Sequence, residues 1–171
     1  MKDNYDLSNL RKKPKRKNSR RKGNNFELKI ASILNERFKT TEFNRSPGSG
    51  AYATTHSLPE HLKIYGDLIT PQNFRFCIEC KKGYPKENLY SLYNNSSEFW
   101  GFIAQCEKDS VKSQRLPMVI FKQDRRPTLC IVPASVDFGV DQYLELHRDN
   151  QYYKMYLFDE ALTSWDTNWF A

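Results

Sequence analysis

Eight residues near the middle of the chain, Phe74-Arg75-Phe76-Cys77-Ile78-Glu79-Cys80-Lys81, carry the side chains best suited to chemistry. Alternation along a strand sends Phe74, Phe76, Ile78 and Cys80 into a core and Arg75, Cys77, Glu79 and Lys81 to the opposite face. A carboxylate and an ammonium then stand on one face, two positions apart. Upstream, Gly66-Asp67-Leu68 offers a second carboxylate on a preceding strand. A hairpin between the two strands would set Asp67 beside Glu79. Two carboxylates about 4–6 Å apart repel each other unless a divalent cation lies between them. Mg2+ is the hard, oxygen-seeking ion that suits such a pair. A neighbouring lysine can orient or help deprotonate an attacking water, or offset charge building on phosphorus. Asp…Glu-x-Lys is therefore a workable site for phosphodiester hydrolysis. The same tripeptide also makes an ordinary solvated salt-bridge face, so the chemistry depends on what positions it.

The alternation argues against metal or redox chemistry at the cysteines. Cys77 and Cys80 fall on opposite faces, and no second Cys or His pair has zinc-finger spacing. His56, His61 and His147 form no ligand pattern. The N-terminus, Met-Lys-Asp-Asn-Tyr and then basic, does not read as a secretory signal. The four thiols, Cys106 and Cys130 included, are expected to be free in a reducing, cytoplasmic setting. The longest apolar stretches, such as Met118–Phe121, are far short of a membrane span.

The elements that must hold the acids can be read in outline. Asn24 or Asn25 can cap a helix, and Phe26, Ile30, Ile33, Leu34 and Phe38 follow at helical spacing, which predicts a helix over 25–38. Thr41–Ser46 reads as a short extended piece, and Ser46-Pro47-Gly48-Ser49-Gly50 as a loop. Residues 50–63 read as a long polar loop. Ile64–Thr70 and Phe74–Lys81 read as the hairpin. A helix is expected over 96–113, then strands at Leu116–Phe121 and Thr128–Val132. The order is α-β-β-β-α-β-β, an α/β fold. Tyr143–Leu146, Tyr152–Phe158 and the aromatics Trp165, Trp169 and Phe170 belong to a C-terminal extension over 136–171, packed on the core or in a dimer interface.

Charge divides the 171-residue chain unevenly. The net charge is +7, yet residues 1–23 hold ten Lys or Arg, Arg16, Lys17, Arg21 and Lys22 among them, against Asp3 and Asp6 alone. A basic arm, expected to be disordered, joins a nearly neutral body. Such an arm most naturally meets phosphates. The expected units are the arm over 1–23, a core over 24–135 and the extension.

Four stretches in order complete a likeness. They are Arg21-Lys22-Gly23-Asn24-Asn25-Phe26-Glu27, Asn44-Arg45-Ser46-Pro47-Gly48-Ser49-Gly50, Gly66-Asp67-Leu68 and Ile78-Glu79-Cys80-Lys81. Together they resemble the archaeal-type Holliday junction resolvases, a branch of the PD-(D/E)XK nuclease superfamily, over about 20–133. The resemblance implies a restriction-endonuclease-like core with a central mixed sheet flanked by helices. It implies that Glu27, Asp67 and Glu79, with the carbonyl of Cys80, hold Mg2+, with Mn2+ able to substitute, and that Lys81 is the catalytic lysine. It places Ser46 or Ser49 in a mobile loop near the scissile phosphate. Arg21 and Arg45 would touch the DNA backbone, joined by Arg16, Lys17, Lys22 and Lys82. No small-molecule cofactor is implied. A homodimer, packed through Phe99, Trp100, Phe102 or Ile103, would nick four-way junctions symmetrically. One departure is plain: Asp67 lies 18 positions after Ser49, with residues 50–65 inserted. Two other functions fit the same residues. One is a related nuclease acting on flaps, nicks or single strands. The other is a non-catalytic DNA-binding protein that keeps the fold.

Overall fold

In a computed structural model the described residues are 19–47, 65–94 and 96–171. A 20-residue helix, α1 (Ser19–Phe38), opens the fold. Its buried residues, Phe26, Glu27, Ile30, Ala31 and Leu34, recur every three or four positions and so line one face. The helix begins ahead of the expected start at residue 25. Arg20, Arg21 and Lys22 favour helix, and one glycine at position 23 is tolerated there. The end of the basic segment is therefore helical rather than disordered, and residues 1–18 lie outside the described residues. Beyond the helix, Asn35 clamps the chain reversal. Its side chain accepts from the Phe43 N–H at 3.0 Å and donates to the Phe43 carbonyl at 2.8 Å.

The main sheet has five strands in the order β3-β4-β5-β7-β6: β3 (Phe76–Lys82), β4 (Leu116–Lys122), β5 (Thr128–Pro133), β6 (Tyr143–Arg148) and β7 (Gln151–Leu157). The β3–β4 pair is parallel and the other pairs are antiparallel. A parallel pair needs a long crossover. Here α2 (Leu89–Tyr93) and α3 (Phe99–Ser113) supply it. The sequence shows no periodicity for α2, whose five residues are too few. Its start is set by Asn88, which accepts from the N–H groups of Tyr90 and Ser91 in a capping box.

The expected hairpin is not formed. β2 (Leu68–Ile69) pairs antiparallel with β1 (Asn44–Arg45), while β3 runs beside β4. The Asp67 N–H, donating to the Ile78 carbonyl at 2.8 Å, ties the β2 approach to the outer edge of β3. The edge nearer Phe74 is taken by the C-terminal residues. Phe74 bridges to Phe170, the Arg75 N–H donates to the Trp169 carbonyl at 2.9 Å, and the Ala171 N–H donates to the Asn73 carbonyl at 2.8 Å.

Both faces of the sheet are covered. On one, α1 and the C-terminal residues pack over Phe76, Ile78, Cys80, Met118, Ile120, Cys130 and Val132, with Trp169 fully buried among them. On the other, Phe99, Trp100, Phe102, Ile103 and Cys106 of α3 pack over Val119, Phe121 and Ile131. Residues 136–171 pack on the core and also extend it, contributing β6, β7, the short helix α4 (Phe158–Ala161) and a central core residue. The four α3 residues expected in a dimer interface are spent within the monomer, at 4%, 9%, 7% and 3% exposure.

Candidate active site

Asp67 lies at the outer edge of β3, near enough to Glu79 and Glu27 for their charges to act on it. N–H and C=O of one strand residue point the same way. At Ile78 and Cys80 they face outward, where Asp67 sits. The Cys80 N–H donates to Asp67 Oδ2 at 2.8 Å. The Asp67 carbonyl in turn accepts the Ser46 N–H at 2.9 Å. With its own N–H on Ile78, Asp67 is tied down through backbone and side chain together. Gly66 makes this approach possible. Its φ is +77°, and an added Cβ would stand 2.6 Å from the Ile78 carbonyl oxygen. The strand geometry also turns the Cys80 carbonyl toward this edge.

Glu79 and Lys81 project to the α3 face, as alternation requires. That face is not a solvated one, since Glu79 is only 3% exposed. Lys81 Nζ lies 2.5 Å from Glu79 Oε1. Gln105 of α3 donates to the same Glu79 oxygen at 2.8 Å and accepts from Lys81 at 3.0 Å. Glu27 approaches from α1. Its Oε2 accepts from Arg45 Nε at 2.6 Å, and Arg45 also donates to Asn24 at 3.1 Å.

The electrostatics show that these groups feel one another. Burial, and then the Glu79 charge, push the Asp67 carboxyl up to about 7; the Cys80 N–H opposes the rise and Glu27 adds to it. Glu79 is also raised, first by burial, with the Lys81 charge opposing and Asp109 and Glu27 adding. Burial pulls the Lys81 ammonium down, but the charge and hydrogen bond of Glu79 and the charge of Asp67 outweigh it, and the net shift is upward. The Cys80 thiol is pushed well up by burial, so it stays neutral and offers only its carbonyl.

The donors are carboxylate and carbonyl oxygens crowded with like charge, which matches Mg2+ or Mn2+ rather than a soft metal. Among the described residues, no three His, Cys, Asp or Glu side chains are gathered closely enough to hold an ion as they stand. Glu79 is turned to Lys81 and Glu27 to Arg45. The donor chemistry fits the ion, and the two cations hold the outer carboxylates in its place.

The remaining expected residues divide. Ser46 is buried at 3% exposure at the end of β1, and its Oγ has no hydrogen-bond partner among the described residues. Lys22 pairs with Asp124 at 3.2 Å, and Lys82 lies over the Phe26 ring at 5.8 Å. Arg21 is exposed in the first turns of α1. Ser49, Arg16, Lys17 and the 50–63 insertion lie outside the described residues, which resume at Tyr65. Gln105 was not foreseen. It lies 24 positions beyond Lys81, and no local pattern marks it.

A mixed sheet flanked by helices, with Asp, Glu and Lys gathered at its parallel edge strand, defines a core of the PD-(D/E)XK nuclease superfamily. The chain belongs to the family described as "Phage putative PDDEXK endonuclease", whose model matches residues 18–171. It is similar to Protein D14 of Escherichia phage T5, with 31% identity over 124 residues, 68% of this chain and 72% of that protein. No solved structure matches. Among the described residues, no helix is long and apolar enough to cross a membrane.

Proposed function

We propose that the protein is a Mg2+-dependent, structure-selective DNA endonuclease that resolves four-way junctions by paired nicks as a homodimer. The observation that carries the reading is Asp67 clamped to the β3 edge by Cys80, beside the buried Glu79–Lys81 pair. Asp67, Glu79, the Cys80 carbonyl and Glu27 are the groups that would hold the ion. When bound, it would supply a Lewis acid for the attacking water and the scissile phosphate.

The chain's own residues do the rest. Lys81, kept protonated by Glu79 and Asp67, sets a fixed positive charge where negative charge develops on phosphorus. Arg45 lies next to Glu27 and is a ready phosphate contact. Arg16, Lys17, Arg21, Lys22 and Lys82 supply sequence-independent attraction to the backbone, which favours recognition of shape over bases. The junction preference itself rests on the likeness of the four sequence stretches to junction resolvases.

The test is cleavage of a synthetic four-way junction, a flap and a linear duplex in Mg2+, with chain mass measured in solution. The junction should be cut best and symmetrically, by a dimer. Glu79→Ala should lower the rate by about a hundredfold or more. A Glu79→Ala protein that cuts at the wild-type rate defeats the site assignment. Cleavage confined to flaps or single strands replaces the junction with those substrates. Tight DNA binding without any cleavage points to the non-catalytic alternative.

A further inference from the structure

We infer that Gln105 of α3 is a positioning residue that fixes Glu79 and Lys81 relative to each other. The inference rests on the nuclease reading above. A primary amide has donors at one end and an acceptor at the other. Gln105 uses both ends on the two site groups. Its Nε2 donates to Glu79 Oε1 at 2.8 Å, and its Oε1 accepts from Lys81 Nζ at 3.0 Å. The direct Glu79–Lys81 contact at 2.5 Å closes the ring. The amide's orientation is dictated by its neighbours. Reversed, it would press an NH2 against the ammonium and a carbonyl against the carboxylate.

The helix supports this arrangement from below. Phe102, three positions earlier on α3, lies under the lysine with Nζ 5.3 Å from its ring centroid. Residues three apart share a helix face. One face of α3 therefore meets the ammonium with an apolar ring and an amide oxygen together.

Packing gives Gln105 no other task. It is exposed, while Phe102, Ile103 and Cys106 around it do the burying. Substitution at an exposed helix position ordinarily leaves stability nearly unchanged. Groups that orient metal-binding side chains are instead worth about tenfold to a hundredfold in metal affinity or activity. Gln105 is built for the second role. Without it, Lys81 loses its second anchor and the Glu79 carboxylate is free to rotate with it.

The experiment uses the full chain in three forms, wild type, Gln105→Leu and Gln105→Glu. Leucine keeps bulk and loses polarity. Glutamate keeps the shape and loses the donor. Both variants should melt with the wild type, bind Mn2+ about tenfold or more weakly by calorimetry, and show kcat reduced to a similar degree with KM for DNA unchanged. In metal-free protein, the 15N-resolved side-chain amide signal of Gln105 should shift when Glu79 is replaced by Ala. Wild-type Mn2+ affinity and kcat in Gln105→Leu overturn the inference, as does a large loss of melting temperature or an amide signal indifferent to Glu79. If wild type neither binds Mn2+ nor cuts DNA, the nuclease reading fails and the positioning role of Gln105 in that chemistry fails with it. The amide signal then reports on the bridge alone.

Discussion

Asp67 is buried at 7% exposure and has Glu79 as a charged neighbour, so its carboxyl holds its proton far longer than an exposed one. In the unfolded chain it would titrate near 3.8, and in the folded, metal-free protein near 7. Between those values the folded state binds the extra proton, so stability falls as pH rises. Glu79, also raised, adds a slope of the same sign. The Lys81 shift lies above its ordinary 10.5 and does not enter this window. Urea midpoints measured in EDTA should therefore decline from about pH 4 to about pH 7 and level off beyond. Asp67→Asn should flatten much of that decline. Glu79 and Lys81 were legible as a candidate pair from their types and two-residue spacing, Asp67 from its place on a preceding strand, and Glu27 only through the likeness of the four stretches. Gln105 was not, since only the path of the chain between β3 and α3 brings it to them.

At the scale of elements, the turn into β2 decides whether Asp67 reaches its place. Gly66 combines a left-handed backbone, φ +77°, with a Cβ position 2.6 Å from the Ile78 carbonyl oxygen and 3.0 Å from Cys77 Sγ. Gly66→Ala meets both obstacles, since neither the backbone of β3 nor its own φ can yield cheaply. The substitution should cost about 2 kcal/mol or more, read as a shift in urea midpoint, and should depress cleavage by displacing Asp67. Alternation told which face each β3 residue would take, and that reading survived. It could not tell which strand would lie alongside, because the partner of β3 is β4, some forty positions downstream in register at Phe76–Leu116. The same gap hid the true role of β2, whose two ladder residues pair with β1 instead.

Across the whole molecule, Trp169 joins the ends of the fold. Its ring lies 5.6 Å from Phe38 of α1, 6.2 Å from Phe74 and 4.8 Å from Phe138, and the side chain is fully buried. Its indole N–H donates to Ser164 Oγ at 2.8 Å. Trp169→Ala should destabilise by about 3–5 kcal/mol in urea unfolding. The aromatic C-terminus was legible as packing for Trp169 and Phe170 but not for Trp165, which is exposed, and the sequence did not show that β6 and β7 finish the sheet. β6 is exposed at nearly every position, so its hydrophobic pattern carries no sign of membership. Its hairpin with β7 turns on Asp149-Asn150, both at positive φ, a two-residue reversal that suits the twist of paired strands.

A chain made from its N-terminus leaves the ribosome with α1, β3 and all three acids long before Trp169 appears. Until that ring arrives, the pocket it fills among Phe38, Phe74 and Phe138 stays open. The interior beneath the three acids therefore closes only once residue 169 has been made, and a chain truncated before it carries its acids without the packing that aligns them.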